Sequence, residues 1–278
     1  MQLRFTKMQG LGNDFVVVDA IRQPVALTAE QVRALADRHF GIGCDQLLLL
    51  EPSALKGVHA RYRIFNADGG EVEHCGNGVR CVAHYLLAER LASGSPVCVE
   101  LFSGGDVVEI VATDDGMYRV DMGEPMFEPD AIPLAMPART PTYQVELEGA
   151  SVEFASVSMS NPHAVVTVAD VSTAPVASWG PKLESHAVFP ARVNVGFMQV
   201  VGPNEIRLRV FERGAGETLA CGTGACAAAA TGIANGTLQS PVAVDLPGGR
   251  LKIEWAGPGH RLYMTGPAVR VFEGVVAL

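Results

Sequence analysis

Hydrophobic and polar residues alternate with a period of two over many short stretches of the chain. Arg61 to Phe65, Val97 to Leu101, Val107 to Val111, Val152 to Val157, Arg207 to Phe211 and Leu251 to Trp255 all read this way. Side chains of a strand point to opposite faces in turn, so the pattern predicts half-buried strands. Helical spacing is rarer. Val79, Val82, Ala83, Leu86 and Leu87 share one helical face, as do Ala225, Ala228, Ala229, Gly232 and Ile233. These two helices are predicted to end at Ser93-Gly94 and Asn235-Gly236, where glycine stops a helix readily. The second is so rich in alanine that neighbouring strands should approach it very closely. A third helix is predicted from Thr28, with Gln31 completing a capping box.

The two predicted helices belong to two copies of one pattern. The segment from Arg61 to Gly78 aligns without a gap on the segment from Arg207 to Gly224, 146 residues further on. Arg61, Arg63, Phe65, Gly70, Glu71, Cys75, Gly76 and Gly78 recur at their shifted positions. Ser95-Pro96-Val97 is answered downstream by Ser240-Pro241-Val242, and Gly104-Gly105 by Gly248-Gly249. Upstream, Asn13 before an apolar run is answered by Asn161, and Gln46 by Asn194. Each copy therefore reads as strand, glycine-rich loop and helix, surrounded by further strands. The total is an α+β protein of two similar lobes that meet between about Val120 and Val145. The best-matching part is a polar loop rather than a core, which points to shared chemistry more than to shared packing.

Composition narrows the partners. The chain has 278 residues and a net charge of -9, without a run of Lys or Arg. That argues against nucleic acid and anionic membrane as partners and leaves small molecules open. The start lacks the apolar core of a signal peptide, and no stretch is long enough to span a bilayer. Six cysteines in such a chain are expected as reduced thiols in the cytoplasm.

Cys75 and Cys221 each precede Gly-Asn/Thr-Gly and an apolar helix. A thiol at a helix N-cap meets unpaired backbone N–H groups and the positive end of the helix dipole, which favour a thiolate. The N–H groups of Gly76, Asn77, Gly222 and Thr223 could together cradle a carboxylate. Two such ends facing each other across a cleft would suit inversion of a carbon next to that carboxylate, since inversion needs a base on one face and an acid on the other. The alternatives are a four-thiolate metal site, a redox pair, or a structural repeat without chemistry. The spacings Cys75/Cys81 and Cys221/Cys226 do not match a zinc knuckle, so no metal is expected. Cys44, Cys81, Cys98 and Cys226 read singly as small apolar residues.

Gly10 to Phe15, Asn66 to Gly69, Glu73 to Cys81, Asn161 to His163, Glu212 to Gly214, Ala220 to Cys226, Leu246 to Gly249 and Met264 to Pro267 resemble the motifs of the diaminopimelate epimerase family, in that family's order. The likeness runs from about Phe5 to Gly274, with departures at Cys44, where an aromatic or small residue is usual, and at Ser160, where glycine is. The resemblance implies two pseudo-symmetric lobes, each a mostly antiparallel sheet curled round a central helix, with the active site between them. It implies a first lobe of residues 1–120 joined by a returning strand at about 267–278, and a second of 121–266. It implies interconversion of LL- and meso-2,6-diaminopimelate without pyridoxal phosphate or metal, in lysine and peptidoglycan synthesis. Cys75 and Cys221 would be the acid/base pair. Gly76, Asn77, Gly222 and Thr223 would hold the reacting carboxylate. Asn13, Gln46, Asn66, Asn161 and Asn194 would serve the rest of the substrate, with Glu212 on an ammonium and Arg213 on the distal carboxylate. His163 and Glu212 would adjust thiol ionisation, and Phe272 would lie in a homodimer interface. Read singly, each of these asparagines is a turn residue and His163 an ordinary polar residue.

Overall fold

The computed structural model describes residues 2–72, 75–101 and 106–278, so Glu73, His74 and the Gly104-Gly105 pair lie outside the described residues. The elements are β1 (Gln2–Gly10), β2 (Asn13–Asp19), α1 (Ala29–Ala36), β3 (Gln46–Glu51), β4 (Ala60–Asn66), β5 (Glu71–Val72), α2 (Gly76–Ala88), β6 (Val97–Leu101), β7 (Val107–Ala112) and β8 (Tyr118–Asp121). They continue as β9 (Tyr143–Leu147), β10 (Ala150–Ser158), β11 (Pro162–Thr167), α3 (Val176–Glu184), β12 (Asn194–Gly202), β13 (Glu205–Glu212), β14 (Gly216–Thr218), α4 (Gly222–Ala234), β15 (Val242–Leu246), β16 (Gly249–Trp255), β17 (Leu262–Gly266) and β18 (Val269–Ala277). The chain forms two compact units, Met1–Val120 with Gly266–Leu278 and Asp121–Thr265.

Within the first unit, β18 lies antiparallel to β1, which pairs with β2. The ladder continues through β3, β4, β6 and β7, with β2–β3 and β4–β6 parallel and the rest antiparallel. The second unit repeats this scheme with β10 to β16, its parallel pairs being β11–β12 and β13–β15. Registers correspond as well. Phe15 faces Gln46 in one parallel pair, and His163 faces Asn194 in the other. The repeat is thus a repeat of backbone pairing, not of loop composition alone.

A helix fills each unit. Every residue of α4 from Gly222 to Gly232 is buried. A helix covered on all sides must be slim, and alanine supplies that: the strands come close without cavities. At Gly232 an added Cβ would stand 2.3 Å from Leu238 Cδ1. In α2 burial reaches round to the fully enclosed Arg80, while Leu87 of the predicted apolar face is half-buried and Tyr85 takes the inner position.

The two helices stop in the same way with different residues. After α4, Asn235 is the C-cap and Gly236 takes the left-handed conformation at φ 74°. After α2, Arg90 occupies the corresponding place at φ 58°, and Leu91 N–H and Ala92 N–H donate to Leu86 O. The first helix therefore ends at Ala88, ahead of the expected Ser93-Gly94. No glycine marks the stop, because a non-glycine residue carries the left-handed turn at some conformational cost.

The outer faces carry the remaining helices. Thr28 caps α1 with the full capping box, an arrangement worth about 1 kcal/mol. It lays Val32, Leu35 and Ala36 against Val16, Val18, Leu47 and Leu49. In the second unit α3 sets Val176 and Leu183 against Phe154, Val195 and Phe197. The sequence pattern did not announce α3, since Gly180 and Pro181 interrupt it. Gly180 is needed there, because a Cβ would stand 2.7 Å from the Phe211 ring.

Candidate active site

Both cysteines are helix N-caps in matching geometry. Cys75 precedes α2 with φ -142° and ψ 109°, Cys221 precedes α4 with φ -112° and ψ 109°. Each sulfur accepts from the backbone N–H three residues on, Gly78 or Gly224, at 3.4 Å. Among the described residues, no acceptor meets the first-turn N–H groups of Gly222 and Thr223, which leaves them open to an anion.

The first unit holds four of the expected polar residues in two hydrogen-bonded pairs, one of them at Cys75. Asn13 Oδ1 lies 3.7 Å from the Cys75 sulfur and accepts from Asn77 Nδ2 at 3.2 Å. Gln46 Nε2 donates to Asn66 Oδ1 at 2.9 Å, across the β3–β4 pair. Gln46 Oε1 is buried with no partner, an acceptor that a ligand N–H would satisfy. Tyr62, fully buried beside Cys75, has its phenol pushed well up by burial and by the cysteine.

Residues that the sequence reading passed over stand behind this group. Arg80 is wholly enclosed and donates to Asn77 Oδ1 at 2.9 Å, Gly76 O at 3.4 Å and Pro267 O at 3.1 Å. Gly10 makes room for it, since a Cβ there would meet Arg80 Nη2 at 3.2 Å. Asp45 accepts from Asn13 Nδ2 at 2.9 Å. Asp14 joins Lys7, Arg38 and Asp45, and these partners hold its carboxyl far below the usual range against its burial. One sequence signal was available. Arg80 has Cys226 as its counterpart, so a charge interrupts one copy only.

In the second unit Cys221 is more deeply buried. Burial pushes its thiol well up, and the Glu212 carboxylate adds to the effect, outweighing the Thr223 hydroxyl and the Gly224 N–H. Desolvation of a charged sulfur thus works against the thiolate that the N-cap of Cys221 favours. Thr223 Oγ1 lies 3.6 Å from the Cys221 sulfur and accepts from Asn161 Nδ2 at 3.4 Å. Asn161 Oδ1 meets His163 Nε2 at 2.9 Å.

Asn194 spends both ends within the protein, donating to Pro162 O at 3.1 Å and accepting from Arg213 N–H at 2.9 Å. It holds the Arg213 backbone, whereas its counterpart Gln46 keeps an oxygen free. The Arg213 side chain is exposed and donates to Ala191 O at 3.1 Å. Ser160, at φ 65°, explains why glycine suits that site, and Cys44 is a buried thiol pushed up to about 11. Phe272 lies far along β18, half exposed and edge-on to Phe5 with 5.9 Å between ring centres. A separate cavity of about 500 Å³ in the first unit is lined by Arg4, Asp19, Arg22, Tyr85 and Glu89 among others. None of the residues picked out from the sequence belongs to it.

His163 does not act as a charge. Burial, then the Arg213 cation, bring its imidazole down to about 3. The unfolded chain takes a proton near 6.5 and the folded chain holds off to about 3, so stability is lost as pH falls through that window. The steepest loss is about 1.4 kcal/mol per pH unit. Urea midpoints from pH 7 to 4 should decline in the natural protein and flatten in His163→Gln. Parallel curves would show that His163 is not the group responsible.

The fold places the chain in a class before any sequence match does. A hydroxyproline epimerase from Agrobacterium vitis, solved with trans-4-hydroxy-L-proline, superposes with a TM-score of 0.73 at 17% identity, covering 100% of this chain and 93% of that one. A PhzF-family phenazine biosynthesis protein from Bacillus anthracis gives 0.70 at 15% identity over the full length of both. These likenesses define a two-lobed fold shared by proteins of divergent sequence. Sequence makes the assignment particular: the family model described as diaminopimelate epimerase matches residues 5–128 and 155–271, and the chain belongs to that family. Relatives named diaminopimelate epimerase include those of Alkalilimnicola ehrlichii, 56% identical over the full length of both chains, and Pseudomonas fluorescens, 55% identical over the full length of both. That of Aromatoleum aromaticum is 57% identical over 99% of both.

Proposed function

We propose that the chain interconverts LL- and meso-2,6-diaminopimelate, with Cys75 and Cys221 exchanging the roles of base and acid. The observation that carries this reading is the matched pair of N-cap thiols, each 3.4 Å from its own helix N–H, in a chain of the diaminopimelate epimerase family. Inversion asks a thiolate to remove the α-proton from one face and a thiol to deliver one to the other. The thiolate is regenerated on the opposite sulfur, so the enzyme is ready for the reverse reaction. Charge spreads onto the α-carboxylate as the proton leaves. The N–H groups of Gly76, Asn77, Gly222 and Thr223 are the donors assigned to it. None of these steps calls on pyridoxal phosphate or a metal.

The remainder of the substrate is a second amino-acid end. Arg213 offers an exposed guanidinium fork for its carboxylate, Glu212 an acceptor for its ammonium, and Asn66, Asn161 and the unpaired Gln46 Oε1 neutral partners. Asn194 serves by holding Arg213. Six free thiols suit a reducing cytoplasm. A homodimer through β18 would cover Val271, Phe272 and Val275, which are half exposed.

Purified protein given LL-2,6-diaminopimelate should form the meso isomer, and L-proline should be left untouched. Racemisation of proline without turnover of diaminopimelate would overturn the assignment, because Arg213 would then have no distal carboxylate to hold.

A further inference from the structure

An asparagine can offer a neighbour either its oxygen or its N–H2 group. Asn13 turns its oxygen to Cys75, and a chain of hydrogen bonds with a charged residue at each end dictates that choice. At one end Arg80, which can only donate, gives Nη2–H to Asn77 Oδ1 at 2.9 Å. Asn77 is left with Nδ2–H, which it donates to Asn13 Oδ1 at 3.2 Å. At the other end the Asp45 carboxylate, which can only accept, takes Asn13 Nδ2–H at 2.9 Å and Asp14 N–H at 3.1 Å on one oxygen. Its second oxygen takes Arg38 Nη2–H at 2.7 Å. Each link admits one polarity only, because both ends are fixed by charge.

The second unit has a corresponding chain with a different end. His163 meets Asn161 Oδ1 at 2.9 Å, Asn161 Nδ2 donates to Thr223 Oγ1 at 3.4 Å, and Thr223 lies 3.6 Å from the Cys221 sulfur. Asn161 therefore turns N–H2 toward its cysteine loop where Asn13 turns oxygen. Cys75 thus meets an amide oxygen directly, whereas Cys221 meets a hydroxyl that an amide N–H2 in turn contacts.

We infer that Asp45 is a positioning residue: through Asn13 it keeps an oxygen, not an N–H, against the Cys75 sulfur and so holds that thiol as a hydrogen-bond donor at rest. The inference rests on the reading of Cys75 as one of the acid/base pair. Asp45 itself is 45% exposed in its side chain, so replacing it opens no cavity. In Asp45→Asn the Arg38 guanidinium claims the single remaining oxygen, and an N–H2 then faces Asn13. Asn77, still set by Arg80, keeps offering Nδ2–H from the other side, so Asn13 is caught between two donors, its oxygen is no longer held against the sulfur, and the bias toward the thiol weakens. Asp45→Ala removes the lock without imposing the opposite polarity.

The test is the pH dependence of iodoacetamide labelling, read separately at Cys75 and Cys221 by peptide mapping. For Cys75 the midpoint should fall by about half a pH unit or more in Asp45→Asn and by less in Asp45→Ala, the scale of one hydrogen bond. The labelling profile of Cys221 should not move, and thermal melts report that both variants are folded. An unchanged Cys75 midpoint in both variants overturns the inference, as does an equal shift at both cysteines, which would mean general loosening. Turnover of LL-2,6-diaminopimelate by the natural protein is measured alongside. Its failure would remove the proposed reaction, while the labelling result would still decide the role of Asp45.

Discussion

Cys75→Ala and Cys221→Ala are each expected to lower epimerisation by about 10³-fold or more, the scale of a lost general acid or base. Either loss leaves one face of the α-carbon unserved. The remaining thiol can still remove a proton and return it to the same face, so residual chemistry should be hydrogen exchange with retention. In deuterated water the natural enzyme should place deuterium in the inverted product, since a different sulfur delivers the proton. A single variant that exchanges without inverting would identify which thiol serves which face. Each alanine also removes a helix cap, because the sulfur accepts from Gly78 or Gly224, at a cost of about 1 kcal/mol. Cys75→Ser and Cys221→Ser keep a cap oxygen and supply the folded control. Full inversion by either alanine variant would dispose of the two-thiol mechanism.

Gly41→Ala is expected to be the most damaging small change to the fold, costing about 3 kcal/mol or more. Beyond α1 the chain doubles back under the helix end. Ile42 N–H and Gly43 N–H both donate to Leu35 O, at 2.9 and 3.0 Å, and Cys44 N–H donates to Ala36 O at 3.1 Å. A Cβ at Gly41 would stand 2.0 Å from Ala34 O, 2.8 Å from Leu35 O and 2.9 Å from Asp37 O. All three are backbone atoms held by the helix and its cap, so no side chain can swing aside to relieve the contact. The turn has to open, and Asp45 and Gln46 follow directly after it. A melting temperature lowered by on the order of 10 °C, together with reduced turnover, is the expected outcome. An unaltered melt would mean that the doubled-back turn adapts freely.

The local features of this chain were legible because they are written within a few residues. Period-two alternation announced β4, β6, β13 and β16, and Thr28 with Gln31 announced the start of α1. The repeat announced more than elements. It paired Cys75 with Cys221 as helix caps and Gln46 with Asn194 at one register, since two copies of a sequence fold to two copies of a backbone. Where the copies differ, pattern was a poorer guide. Arg90 ends α2 without the glycine that ends α4, and α3 forms across Gly180 and Pro181 because Phe211 needs a neighbour without a side chain.

The electrostatic character of each thiol was decided only in three dimensions. Cys75 and Cys221 stand in the same short motif, yet one meets Asn13 and its charged chain while the other is buried beside Glu212. Asp45 reaches Asn13 across 32 residues, and Arg80 reaches Pro267 across 187. No spacing rule carries such partners, because a charge acts through space and through what water is excluded, not along the chain. Sequence alone thus determined the two cysteines, their caps and the family. Tertiary structure decided which polar group each sulfur meets, how deeply each is buried, and that His163 stays neutral.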